Sequence, residues 1–299
     1  MSIEIRPVTS PSELAKIEEL QKRVWGMEDR DIVPVHMMVA AVMTGGLVLG
    51  VYDEENNIIG FVFGILGLRE GKVIHHSHMA GVIPGLRYKG IGYKLKLAQR
   101  EHVLKQGIKL IEWTFDPLRA PNAKLNFNKL GAVSQRYIED VYGALRDRIN
   151  YGVPSDRLLV DWWIASSRVV AKLKGELKTP RVNELISRGV ELANEVELVK
   201  KESTIIESIN NVNLKLKSKG ILIRVPYDDL MLKKLDFDLY MEWRYAVREL
   251  FESYLKRGYI VVDFISEPVN GRRENFYLLI RCSLEEVLNE KSSYFNLLV

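Results

Sequence analysis

Residues 82–101 read VIPGLRYKGIGYKLKLAQRE. Gly90 and Gly92 stand two apart, between an apolar run ending at Pro84 and a long basic amphipathic stretch. Glycine allows positive φ and close approach of the backbone. The first turn of a helix presents N–H groups that have no partner within the helix. A strand, a glycine turn and a helix start in this order make a site for an anion, because the helix dipole adds to those N–H groups.

Three phosphate-binding devices fit glycines before a helix. A dinucleotide fingerprint needs a third small residue three positions after Gly92, and Leu95 stands there. A P-loop needs Gly-Lys-Ser/Thr, and that triplet is absent from the chain. Arg-x-x-Gly-x-Gly remains, over Arg87, Tyr88, Lys89, Gly90, Ile91 and Gly92.

The surrounding pattern is mixed α/β. IEIRPV predicts a strand, and SPSELAKIEELQKRVWG a helix with Ser10 or Ser12 as its cap. Residues 34–44 predict a second helix. GLVLGVYDEENNIIGFVFGILGL predicts a hairpin around DEENN, and VIHHSHMAGVIP a further strand. After the glycine turn, YKLKLAQREHVLKQG reads as a helix closed by Gly107. KLIEWTFD then makes a strand parallel to the preceding one, NAKLNFNKLG a short helix, and RYIEDVYG and RLLVDWWI two strands. Residues 32–52 carry no charged side chain, but Pro34 and Gly45–Gly46 break them into helix and strand, so no membrane span is expected.

Length and composition set the frame. The 299 residues suit two domains: 1–165, and 220–299 as a smaller α/β unit, joined by polar, Lys/Glu-rich helices and irregular chain over 166–219. The net charge of +4 suits an anionic cofactor, and without a Lys/Arg block nucleic acid is not an expected partner. Cys282 is the single cysteine, which points to a reducing, cytoplasmic setting. No Cys pair or HExxH motif suggests a metal.

LKQGIKLIEW (104–113) aligns without gaps on LKRGYIVVDF (255–264), which either a duplication or an ordinary helix–glycine–strand junction explains. At that offset Asp238, Met241 and Trp243 replace Arg87, Gly90 and Gly92, so the second unit lacks the anion loop.

The Arg87–Gly92 pattern resembles the pyrophosphate-binding turn of the GNAT superfamily of acetyltransferases, Gln/Arg-x-x-Gly-x-Gly/Ala. Asn122-Ala123-Lys124-Leu125-Asn126-Phe127-Asn128-Lys129-Leu130-Gly131 is similar to that family's N…A…YxKxGF segment. SHM at 77–79, WTFDPL at 113–118, and Asp156, Arg157 and Trp162 are similar to a branch with a C-terminal extension. The resemblance spans residues 3–165. It implies an α/β fold with the GNAT mixed sheet, followed by a second α/β unit that is structural, acceptor-facing or a degenerate GNAT-like half.

The implied activity is transfer of an acetyl group from acetyl-CoA to a primary amine of a small molecule or peptide, by direct attack in a ternary complex. A homodimer is compatible with it. The alternative is a catalytically weak CoA-binding or scaffolding protein of the same fold. The resemblance assigns the coenzyme pyrophosphate to the backbone of Arg87, Tyr88, Lys89, Gly90, Ile91 and Gly92. It places a carbonyl-polarising N–H around Ala80, Gly81 and Val82, and adds Asn122, Asn126 and Phe127 on the coenzyme side.

Base chemistry near neutrality suits histidine. Alternation puts His76 and His78 on one face of their strand with Ala80 and Val82, and His75 with Ser77 on the other. His78 is the candidate base. Asp116, at the strand's end, is a second candidate or an Asx-turn residue, and Glu112 is a further carboxylate on the same face. Phe127 stands where many GNAT enzymes carry a tyrosine that protonates the leaving thiolate, and Phe has no proton to give. Tyr142 and Tyr137 are the substitutes at hand.

Overall fold

The computed structural model describes all residues except Met1, residues 87–89, Glu202 and Asn270. Packing gathers the chain into two units, one of Met1–Trp113 with Ala144–Gly152, the other of Thr114–Gly143 with Val153–Val299. These limits cut the chain elsewhere than at 165 and 219.

The first unit runs β1 (Glu4–Pro7), α1 (Pro11–Trp25), α2 (Val35–Met43), β2 (Leu47–Tyr52), β3 (Ile58–Arg69), β4 (Lys72–Val82), α3 (Ile91–Lys105) and, up to Trp113, β5 (Leu110–Phe115). Ser10 opens α1: its hydroxyl accepts the Glu13 N–H at 3.3 Å, Pro11 takes the first turn, and Gly26 closes it with φ +73°. Leu14, Ile17, Leu20 and Val24 share the buried side of α1. They pack with Met38 and Ala41 of α2 on Val48, Tyr52, Phe61 and Phe63, covering one face of the sheet. Ile91 and Leu95 of α3 cover the other, on Leu47, Leu49, Val51 and Val62. Strands β1 to β4 pair antiparallel in sequence order, and β5 lies parallel beside β4, as the β4–α3–β5 crossover requires.

The second unit holds α4 (Ala120–Ala123) with a π-helical turn over Lys124–Lys129, β6 (Val133–Ile138), β7 (Arg157–Trp163), α5 (Ser167–Lys174), α6 (Val182–Ile186), β8 (Glu191–Leu192), β9 (Glu195–Lys201), β10 (Thr204–Asn210), β11 (Gly220–Val225), α7 (Asp229–Leu235), α8 (Phe237–Lys256), β12 (Tyr259–Val269), β13 (Arg272–Arg281) and α9 (Leu284–Asn289). Its strands run in the order β7-β6-β12-β13-β11-β8, and β9 and β10 form a separate antiparallel hairpin. Buried Arg168 links distant segments by donating to the Gly131 carbonyl at 3.1 Å, to the Val262 carbonyl and to Tyr294. Lys172 and Asp263 form a buried ion pair at 2.8 Å.

Two expectations change. RYIEDVYG is strand only over Arg136–Ile138: β6 is VSQRYI, starting earlier than expected, and the chain turns after Ile138, with Asp140 at φ +40° and Gly143 at +63°. The carboxylates of Asp140 and Asp156 hold that turn by accepting the backbone N–H groups of Ser155 and Asp140. Residues 166–219 contain two helices and the β9–β10 hairpin, not only linking helices and irregular chain. The segment aligned on the glycine loop is helical, α8 beginning at Phe237 under an Asp236 cap, with Trp243 buried in it.

Candidate active site

The level at which β4 and β5 part organises the first unit's polar side chains. Their parallel register covers His75↔Ile111 and His76↔Glu112, and β4 then runs on to Val82 along β3. There β4 is bulged: Phe63 pairs with Met79 and Ile65 with His76, so Gly64 alone faces Ser77 and His78. A bulge of this kind re-aims the side chains that follow it.

The bulge corrects the expected alternation. His76 and His78 do share a face, their ring centres 6.1 Å apart, and His78 meets Phe63 edge-on at 5.9 Å. Beyond the bulge Met79 joins that face, packing on the α1–α2 core, while Val82 packs on the α3 side. Gly81 is required by its neighbours, since a Cβ there would lie 2.8 Å from the Trp25 ring and 3.1 Å from Val24. Ala80 is exposed.

On the face of His76, its Nδ1 stands 3.3 Å from Glu112 Oε1, and Arg69 donates to Glu112 Oε2 at 3.4 Å. The hydrogen bond from His76, with Arg69 adding to it, holds the Glu112 carboxyl below its ordinary value. His78 is open to solvent on one side and desolvated on the other. That desolvation, with His76 adding repulsion, lowers its pKa, so it is neutral at neutral pH. The sequence pattern singles out His78 and Glu112; it assigns nothing to His76 or Arg69.

On the α3 face, buried His75 accepts from the Gln99 amide at 3.0 Å, and burial pushes its pKa down to about 3. Its ring occupies the space over Gly64, where a Cβ would lie 2.2 Å from Nε2. Ser77 points the same way, into α3.

Gly90 starts α3 in the left-handed region, φ +80°. Among the described residues no side chain caps this fifteen-residue helix, and none comes within 4 Å of where a Gly90 Cβ would stand. Ile91 is buried beneath the turn. A bare helix start approached by an αL glycine fits a phosphate group. Arg87, Tyr88 and Lys89 lie outside the described residues.

The remaining sequence candidates belong to the second unit. Asp116 is buried; its Oδ1 accepts the Leu118 N–H at 2.9 Å, an Asx turn, and its Oδ2 accepts from Arg244 at 2.6 Å. Burial opposes its charge, yet Arg244 and Arg157 outweigh burial and hold the carboxyl below its ordinary value. Tyr142 is exposed and shares a 2.7 Å hydrogen bond with Thr114 Oγ1. Tyr137 is tied to Asp156 at 2.7 Å, and burial raises its pKa. Asn122 is exposed, Asn126 is buried with no partner for its amide nitrogen among the described residues, and Phe127 is fully buried against Phe115 and Tyr277.

No family model matches the sequence, and no curated protein matches it. Solved structures resemble the fold. An acetyltransferase of the GNAT family from Streptococcus pneumoniae is 16% identical, with 54% of this chain and 98% of that one covered and a TM-score of 0.44. The ribosomal-protein-S18-alanine N-acetyltransferase from Escherichia coli is 13% identical, covering 55% and 94%, TM-score 0.43. NAA60 of Arabidopsis thaliana in complex with acetyl-CoA is 16% identical, covering 55% and 99%, TM-score 0.45. These likenesses concern the chain trace over about half of this protein. Among the described residues no helix is long and apolar enough to cross a membrane, and no group of three or more His, Cys, Asp or Glu is placed to hold a metal ion.

Proposed function

We propose that this chain is an acyl-CoA-dependent N-acyltransferase of the GNAT type, moving an acetyl group from acetyl-CoA to a primary amine in a ternary complex. The observation that carries the reading is β4 itself. It parts from its parallel neighbour at the Ser77–His78 bulge, where His76 and His78 of β4 stand beside Glu112 of β5, and it leads through a glycine turn into the start of α3. On this reading β4, its neighbour β5 and the start of α3 would together supply proton acceptors, a place where parallel strands separate, and an anion site.

The N–H groups at the start of α3, with Gly90 and Ile91, would hold the pyrophosphate. Acetyl-CoA supplies the activated acyl group. Neutral His78 takes the proton of the acceptor amine, because a base near neutrality is needed for an amine whose own pKa is ~8 to ~10.4. Glu112, kept ionised by His76 and Arg69, fixes the His76 ring and favours positive charge on that face. The acceptor is proposed as a small-molecule or peptide amine.

Phe127 favours a second reading, a CoA-binding protein without turnover, since it has no proton to donate. Release of free thiol from acetyl-CoA over a panel of amines, amino acids and N-terminal peptides separates the two. Binding is tested by calorimetry on Gly90→Val, which adds bulk and strain at φ +80°. The expected result is a folded protein with affinity for CoA lowered by orders of magnitude. Unchanged affinity in a folded Gly90→Val protein refutes the loop assignment.

A further inference from the structure

Helix α3 buries a lysine with no acid beside it. Lys96 is 5% exposed; its Nζ donates to Ser77 Oγ at 2.8 Å and to Gln99 Oε1 at 3.1 Å, and lies 3.8 Å from the centre of the Trp113 ring. The Gln99 amide closes the cluster, 3.1 Å from Ser77 Oγ and 3.0 Å from His75 Nε2, while His75 Nδ1 is buried with no partner among the described residues. Among the described residues no carboxylate forms an ion pair with Lys96. A buried ammonium lacking an anion is costly, and burial pushes the Lys96 pKa down to about 7. The side chains it touches among the described residues, Ser77, Gln99 and Trp113, carry no charge, and His75 beyond Gln99 stays neutral with its pKa near 3. Such a cluster is more than a packing device, since Met or Leu would fill the same space without the penalty.

Its position gives it a task. Ser77 is the residue of β4 just after the last parallel pair, and Trp113 is the residue of β5 just after it. Lys96 therefore spans the two strands at the level where they part. His76 and His78 of β4 occupy the opposite face at that level, with Glu112 of β5 beside His76. One face carries proton acceptors and the other a proton donor.

We infer that Lys96 is the acid of the reaction, giving a proton to the leaving sulfur from the α3 side, directly or through Ser77 Oγ, in place of the tyrosine that Phe127 does not supply. The inference rests on the acyl-transfer reading above. The acceptor nitrogen bonds to the acyl carbon and loses one proton to His78. The carbon–sulfur bond breaks with its electron pair on sulfur, and Lys96 places one proton there, leaving a neutral amine. His78 returns its proton to solvent and Lys96 takes one back, so charge and protons balance over a turnover. A donor near 7 is matched to a thiol whose pKa is ~8.5.

Coenzyme A with a free thiol is the probe, and the readout is ionisation of the bound thiol, followed by the thiolate's ultraviolet absorbance against pH. On the wild-type protein the bound thiol should ionise at least about tenfold more readily than in free CoA, because Lys96 and the thiol share one proton. Lys96→Met should abolish that gain while keeping its affinity for desulfo-CoA, which lacks the thiol. With an amine acceptor, kcat should fall by ~10²–10⁴ at nearly unchanged KM for acetyl-CoA. If the Met variant does not fold, Lys96→Gln serves, as it keeps a donor for Ser77 without the charge. Equal thiol ionisation in wild type and variant overturns the proposal and leaves the acyl-transfer reading standing. Parallel loss of CoA and desulfo-CoA affinity in a folded variant also overturns it, by showing Lys96 to be structural. A folded wild-type protein that binds no CoA refutes both.

Discussion

His76 and Glu112 face one another across the last pair of the parallel register between β4 and β5, imidazole Nδ1 to carboxylate Oε1 at 3.3 Å. The pair stands where the strands separate, and Arg69 closes it from the other carboxylate oxygen. A carboxylate so placed fixes the orientation of the His76 ring.

Glu112→Gln should therefore lower kcat by ~10- to 100-fold with CoA affinity intact. Steady-state kinetics beside calorimetry measures it. A rate equal to wild type would remove Glu112 from the mechanism.

The pKa of His78 is lowered from 6.5, so its basic form persists as pH falls through that value. The acid limb of kcat/KM should lie below pH 6.5, and His78→Gln should lose both the limb and most of the rate. A limb above 6.5, or one that survives the substitution, would assign the titration to another group.

Lys96 also sets a stability profile. Its folded pKa, about 7, lies below the value of 10.5 taken for an unburied lysine, so the unfolded chain binds the extra proton between those values. Stability then rises with pH across that window, at a slope of at most about 1.4 kcal/mol for each pH step of one. Lys96→Met should be the more stable protein at pH 6, with the difference narrowing toward pH 10. Denaturant melts at the two pH values test this, and parallel profiles would mean that the lysine is not desolvated.

Asp116 and Arg244 make a buried pair at 2.6 Å. Removing one partner leaves the other uncompensated, so Asp116→Asn and Arg244→Met should each cost about 3–5 kcal/mol. The double variant should lose less than the sum of the two. Because the Asp116 pKa is lowered, its contribution is present above the ordinary Asp value and is lost as pH falls through the folded one. Additive losses in urea melts would contradict the coupling.

Much of the first unit was legible because its signals are local. Ser10 and Gly26 bracket α1, the DEENN turn fixes β2 and β3, and Pro84 with Gly90 marks the passage into α3. The bulge at Ser77–His78 was not, since one extra residue leaves no mark on composition and reverses the face of every residue beyond it. That reversal moved Val82 away from the histidines. Lys96 and Gln99 were hidden inside a basic helix, though both stand among Ile91, Leu95 and Val103 on its buried side. A lysine on an apolar stripe was the available signal. The β9–β10 hairpin escaped because β9 is exposed along most of its length, so its sequence is dominated by Lys and Glu.

The second unit draws its interior from stretches far apart along the chain. Phe127 rests on Tyr277, the Pro117 carbonyl accepts from the same tyrosine at 2.6 Å, Asn128 reaches the Phe264 carbonyl, and Arg168 ties Gly131 to Val262. On the ribosome, residues 114–143 emerge more than a hundred residues before those partners exist. Phe115 and Phe127 must wait uncovered until β12 and β13 have been made. Assembly of this half is thus tied to synthesis of β12 and β13, and a nascent chain released short of β13 would present those aromatics to chaperones and proteases.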